Sequence, residues 1–196
     1  MTGGAASPPE TIEQAKAQLR AAMIARRDAA KVASRIRHSQ AITQKLCALP
    51  EYRAATMVAA YASFGSELDT AEFLARILAD GKLLLLPRIN RAQRALELRQ
   101  VKDLAGDLVA GVWGIREPAE RCRMVSPAQV DFMLVPGVAF TAGGARLGYG
   151  GGFYDRLLTS LDQHAVRIAA AFDLQIVEHI PEGPHDQRVG KVVTER

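Results

Sequence analysis

The sequence predicts an α/β fold, a three-layer sandwich with a largely parallel central sheet and helices on both faces. Three observations carry this. Short, almost wholly apolar runs at 56–62, 82–87, 130–136 and 166–172 read as strands buried on both sides. The segments between several of them repeat their apolar residues at helical spacing, so strand and helix alternate through most of the chain. Finally, the 196 residues are 48% hydrophobic and 23% charged. That suits one domain spanning 1–196 with a core that needs neither disulfides nor metals.

Taken in order, residues 1–9 read as a disordered lead. "SPPETIEQAKAQLRAAMIARRDAA" reads as the first helix. Thr11 and Gln14 have capping-box spacing, and Ile12, Ala15, Leu19, Ala22 and Met23 form an apolar stripe. Residues 31–49 read as a second helix, stopped by Pro50. After the strand at 56–62, residues 69–81 read as a helix with Gly81 at its C-terminal end. A strand follows at 82–87, and the alternation in "ALELRQV" (95–101) suggests another. The strand at 130–136 runs into a glycine-rich stretch, then a helix at 153–164, the strand at 166–172 and a last strand in "GKVVTE".

Charge is unevenly spread. Residues 1–50 hold eight basic residues (Lys16, Arg20, Arg26, Arg27, Lys31, Arg35, Arg37, Lys45) and three acids (Glu10, Glu13, Asp28). Their net +5 exceeds the +4 of the whole chain. The commonest meaning of such a run is a solvated helix face; the alternatives are an anionic cofactor or nucleic acid. Residues 10–50 contain no aromatic side chain, so no base-stacking platform is present and no nucleic-acid partner is expected. The first residues lack a basic n-region and an apolar h-region, and "LLLLP" is far too short to span a bilayer. A cytoplasmic protein without a membrane partner is expected. Cys47 and Cys122 stand in no metal-ligand spacing and read as reduced thiols.

The stretch "GGARLGYGGGFYDRLL" (143–158) puts six glycines within ten residues. Ordering glycine is costly, and so dense a cluster marks backbone that approaches something closely. It follows an apparent strand and precedes an apparent helix, where ligands bind in parallel sheets. Successive backbone N–H groups can cradle phosphate oxygens, and Arg146 adds a charged fork. Neither G-x-x-x-x-G-K-[ST] nor G-x-G-x-x-G is present. The bland alternative is a long turn needing positive φ.

"GARLGYGGGFYD" (144–155) resembles the signature of the 5-formyltetrahydrofolate cyclo-ligase family. "KAQLR" (16–20), "YASFGSELDT" (61–70), "GIREP" (114–118), "LVPGVAF" (134–140) and "HDQRVGKVVTE" (185–195) are similar to further family landmarks in the same order. The resemblance implies an enzyme that uses ATP and Mg2+ to convert 5-formyltetrahydrofolate into 5,10-methenyltetrahydrofolate. It implies that Lys16 and Arg20, four apart on one helix face, reach the polyphosphate. Arg146, Leu147, Gly148, Tyr149, Gly150, Gly151, Gly152, Phe153 and Tyr154 would complete the ATP site, with Arg146 and Tyr154 in catalysis. Ala62, Glu67 and Trp113 would meet the folate, together with Tyr149, Gly150, Gly151 and Gly152. Asp155 and Asp186 would hold the metal. A core or rim place is the alternative for Trp113, and a helix-start carboxylate the alternative for Glu67 and Asp155. The expected partners are the two small substrates, and the expected form a monomer.

The chain departs from the family pattern at Gly190, where an aspartate is common, at Gly151, where some members carry lysine, and at Phe153, where tyrosine is common. Gly190 keeps open a relative that binds without turnover. A sugar-phosphate isomerase or CoA-transferase-like enzyme is a rival on fold alone, and a nucleic-acid-binding module a rival on the basic N-terminus.

Overall fold

The computed structural model describes residues 11–111 and 114–196. The lead expected at 1–9 lies outside the described residues. The helices are α1 (Ile12–Asp28), α2 (Val32–Ala48), α3 (Pro50–Ala54), α4 (Ala71–Ala79) and α5 (Phe153–Thr159). The strands are β1 (Met57–Ala59), β2 (Leu83–Asn90), β3 (Ala95–Val101), β4 (Leu108–Ala110), β5 (Arg116–Pro118), β6 (Met124–Val125), β7 (Phe132–Val135), β8 (Ala139–Phe140), β9 (Arg146–Leu147), β10 (Val166–Ala170) and β11 (Lys191–Val193).

Helix α1 starts where the sequence places it. The Gln14 N–H donates to Thr11 Oγ1 at 3.2 Å, and the Thr11 N–H donates to Gln14 Oε1 at 2.9 Å. Two of the helix's orphan donors are thereby satisfied. The main sheet runs β11-β10-β7-β1-β2-β3-β6. Its first four pairings are parallel and its last two antiparallel.

Period-two alternation explains the unbroken apolar runs. In β7, Phe132 and Leu134 face Ile42 and Leu46 of α2 and Phe73 and Ile77 of α4. Met133 and Val135 face the other way, against Leu157 and Leu158 of α5. All four β7 side chains are buried, so neither face tolerates a polar residue. A third cluster packs Leu19 and Met23 of α1 on Val138, Ala145 and Leu147 around the β8–β9 hairpin. That contact brings the basic helix to the glycine stretch.

The structure departs from the sequence expectation at several elements. Pro50 opens α3 at its first turn, where proline's missing N–H costs nothing, besides ending α2. Helix α5 stops at Thr159 instead of 164. There Ser160 Oγ donates to the Leu157 carbonyl, and Asp162 Oδ1 accepts the His164 N–H, so side chains replace the helical ladder. Strand β2 continues past Pro87 to Asn90, paired with β3. The β8–β9 hairpin lies within the connection expected between β7 and α5, with β9 inside the glycine stretch itself, its two-residue strands being too short to show a period.

Gly144 lies in this hairpin with φ of 84°. A Cβ there would sit 2.1 Å from the Val189 carbonyl oxygen, while the Val189 N–H donates to the Gly144 carbonyl at 2.9 Å. The close approach ties the C-terminal segment carrying Asp186 to the hairpin. Gly144→Ala is therefore expected to cost about 2 kcal/mol. In a thermal melt this reads as a fall of roughly 4–8 °C.

Candidate active site

A cleft of about 930 Å³ opens at the carboxyl ends of β1, β2 and β7. The chain leaves β1 toward β2 and leaves β7 toward β10, in opposite directions along the sheet. Strand order thus reverses between β1 and β7, where open parallel sheets bind their ligands. Every site residue expected from the sequence and described by the structure lines this cleft; Trp113 lies outside the described residues. Residues from α1, from the segment after β1, from the glycine stretch and from the segment at 184–187 converge there.

One end is cationic and rich in backbone donors. Lys16, 7% exposed, donates from Nζ to Asp186 Oδ2 at 2.5 Å. Arg20 Nε donates to the Gly148 carbonyl at 2.8 Å, which anchors the glycine stretch to α1. Gly150 has φ of 94°, and a Cβ there would meet the Arg20 guanidinium at 3.3 Å. Glycine is needed here both for the dihedral and for that approach. The Arg146 side chain is 2% exposed, and its Nη2 donates to Asp155 Oδ1 at 2.5 Å. The same carboxylate oxygen accepts the Gln187 N–H at 3.1 Å. Burial pushes the Asp186 carboxyl up. The hydrogen bonds from Lys16 and the Gly183 N–H, with the charges of Lys16 and Arg146, outweigh that and leave it below the ordinary range.

Asp155 and Asp186 each use one oxygen for these contacts. Among the described residues, Asp155 Oδ2 and Asp186 Oδ1 accept no hydrogen bond. No group of three His, Cys, Asp or Glu side chains among the described residues gathers into a protein-only cage. Two carboxylates, each with an oxygen that accepts no hydrogen bond among the described residues, beside the cations Lys16 and Arg146 fit Mg2+, which takes one or two carboxylates and fills its octahedron with phosphate and water oxygens.

The other end has apolar walls, and two buried carboxylates, Glu67 and Glu117, line the cleft. Pro87, Ile89, Leu96 and Ile115 form walls. Glu67 is 7% exposed; its Oε1 accepts from the Tyr149 hydroxyl at 2.7 Å and its Oε2 from the Phe64 N–H at 3.1 Å. Burial raises the Glu67 carboxyl above its ordinary range, and the Tyr149 hydroxyl, the Phe64 N–H and the Arg27 charge pull it back only in part. The rings of Phe64 and Tyr149 tilt against each other with centroids 5.4 Å apart. Desolvation and then the Glu67 charge push the hydroxyls of Tyr61 and Tyr154 well above their ordinary values. Both remain protonated hydrogen-bond donors.

Two features escaped the sequence reading. Tyr61, buried and lining the cleft, was legible only as the residue before Ala62 at a strand end. Arg27 corrects the reading of the basic run as a solvated face. Arg26, Lys31 and Arg37 are exposed, but Arg27 is 3% exposed. Arg27 stands four after Met23 and seven after Arg20, on the helix face of Lys16, and that spacing is the signal that separates it from Arg26.

The placing of this cleft makes the chain an α/β protein with a small-molecule site at the switch point of its sheet. Its family follows from comparison with known proteins. The chain belongs to the 5-formyltetrahydrofolate cyclo-ligase family, whose sequence profile matches residues 12–195. It is 35% identical over 184 residues to the 5-formyltetrahydrofolate cyclo-ligase of Mycolicibacterium smegmatis, covering 92% of this chain and 94% of that one. It is 30% identical over 196 residues to the mouse protein of the same name, covering 94% and 96%. The solution structure of Aquifex aeolicus 5,10-methenyltetrahydrofolate synthetase superposes with a TM-score of 0.82 at 34% identity, covering 92% and 90%. No helix among the described residues is long and apolar enough to cross a membrane.

Proposed function

We propose that this chain converts 5-formyltetrahydrofolate to 5,10-methenyltetrahydrofolate at the expense of ATP, with Mg2+ bound, releasing ADP and phosphate. The observation that carries this reading is one cleft joining a cationic, glycine-lined end to an apolar end with a buried carboxylate. The formyl group on N5 is an amide, so its carbon is a poor electrophile and its oxygen a poor leaving group. Attack of that oxygen on the γ-phosphorus breaks the β–γ bridge, expels ADP and makes the oxygen part of a phosphate ester. N10 then attacks the activated carbon, the C–O bond breaks, phosphate leaves and N10 gives up its proton.

Phosphoryl transfer asks the protein for position and charge, not for a nucleophile. Lys16, Arg20 and the backbone of Gly148–Gly152 hold the polyphosphate in this scheme. Arg146 stabilises the charge on the transferred group, and Tyr154 donates a hydrogen bond beside it. Glu67 accepts N–H bonds from the pterin ring, which orients N5 and N10 toward the phosphate end. Asp155 and Asp186 hold the Mg2+, which neutralises phosphate charge when bound.

The test is absorbance in the methenyl-folate band after mixing the protein, 5-formyltetrahydrofolate and Mg2+, with and without ATP. Product growing only with ATP is the expected result. No product from folded protein would overturn the reading.

A further inference from the structure

Arg27 does not line the cleft, yet it is the buried centre of a chain of hydrogen bonds that ends in it. Its Nε donates to Ser66 Oγ at 2.9 Å and its Nη2 to the Tyr149 hydroxyl at 2.9 Å. A guanidinium has donors and no acceptor, so the direction of every later bond follows. Each hydroxyl accepts from Arg27 and must send its own proton outward. Ser66 donates to Asp28 Oδ1, and Tyr149 donates to Glu67 Oε1 at 2.7 Å. One cation thereby aims two hydroxyl protons at two carboxylates.

The arrangement matters because Glu67 is buried. A carboxylate taken out of water either acquires donors and a countercharge or takes up a proton. The charged and titratable groups facing Glu67 are Arg27 and the hydroxyls of Tyr149, Tyr61 and Tyr154, with the Phe64 N–H as a neutral donor. Arg27 is the one cation among these, and it touches Glu67 only through Tyr149. The same helix carries Lys16 and Arg20 into the cationic end, and Arg20 holds Gly148 next to Tyr149.

We propose that Arg27 is the positioning residue of the folate end: acting through Tyr149, it holds Glu67 as an ionised acceptor aimed into the cleft. This rests on the assignment of Glu67 to the folate, and the test separates the two. The carboxyl carbon of Glu67 is titrated by NMR in 13C-glutamate-labelled wild type and Arg27→Met, without ligand. Alongside, KM for each substrate and the pH profile of kcat/KM are measured.

In Arg27→Met the Glu67 carbon titrates at higher pH and the acidic limb of the profile moves the same way. KM for 5-formyltetrahydrofolate rises about tenfold, the effect of losing one hydrogen bond to a charged group. KM for ATP stays within about twofold, within the few tenths of a kcal/mol of a surface change. Arg27→Lys, which keeps the charge, moves the titration back toward wild type. Tyr149→Phe leaves Arg27 in place, breaks the relay, and raises the Glu67 titration even if Arg27→Met fails to fold.

A Glu67 titration unmoved in either folded variant overturns the proposal. A titration that moves while the folate KM does not upholds Arg27's hold on Glu67 and overturns the assignment of Glu67 to the folate.

Discussion

Arg146→Ala lowers kcat by about a thousandfold, the low end of what an arginine contributes to phosphoryl transfer, while the protein stays folded. In the proposed reaction, charge on the transferred phosphoryl oxygens would develop beside a guanidinium already held in place. Its Nη1 donates to the Pro136 carbonyl at 3.3 Å and its Nη2 to Asp155 at 2.5 Å. A preorganised donor costs no reorganisation when the charge appears. The fold survives because Asp155 keeps a side-chain exposure of 24%, so water can replace the lost partner. Arg146→Lys keeps the charge, but a single ammonium cannot span both contacts, and an intermediate kcat is expected. The check is kcat from methenyl absorbance with a thermal melt of each variant. A folded Arg146→Ala with wild-type kcat would remove Arg146 from the phosphate site.

Glu67→Gln raises KM for 5-formyltetrahydrofolate by about a hundredfold, as expected when hydrogen bonds to a charged group are lost, with kcat little changed. An amide offers one acceptor where the carboxylate offers two, and it presents its own N–H to the donors of the pterin. The same substitution acts on stability with a defined sign. The Glu67 carboxyl is raised in the folded state, so the folded protein binds that proton more tightly than the unfolded chain. This contribution is fully present below the ordinary glutamate pKa and is lost as pH rises through the raised one. Above that point the ionised carboxylate is a burden that glutamine does not carry. Free Glu67→Gln therefore melts higher than wild type at pH 8, and the gap closes as pH falls toward 4. A gap that widened toward acid would mean that Glu67 is stabilised as the anion.

This burden belongs with the Arg27 relay. The fold retains a buried carboxylate whose charge is only partly compensated. If Glu67 accepts N–H groups of the pterin as proposed, the site has reason to leave such an acceptor short of donors. Binding would then supply the missing bonds.

The chain's own pattern determined the class of fold and marked the glycine stretch, with Arg146 in it, as the candidate site. Period two and unbroken apolar runs marked β1, β2, β7 and β10, because strands covered on both faces exclude polar residues. Thr11 with Gln14 marked the start of α1, because capping is local chemistry. The glycine stretch marked the close approach at Gly144 and Gly150, because only glycine leaves that space. The segments "KAQLR" and "YASFGSELDT" supplied Lys16, Arg20, Ala62 and Glu67 by their resemblance to a family, which composition and spacing alone do not provide.

Only the tertiary structure decided which of these groups meet. Lys16 and Asp186 are 170 positions apart, and Tyr149 and Glu67 are 82 apart; no local period relates them. The antiparallel edge, the two-residue strands of the β8–β9 hairpin and the early end of α5 follow from long-range pairing or from single side-chain bonds that leave no repeat. Arg26 and Arg27 are neighbours in sequence, yet one meets water and the other Ser66 and Tyr149. A residue's burial depends on what packs over its face of the helix, and that is set by chain segments 39 and 122 positions away.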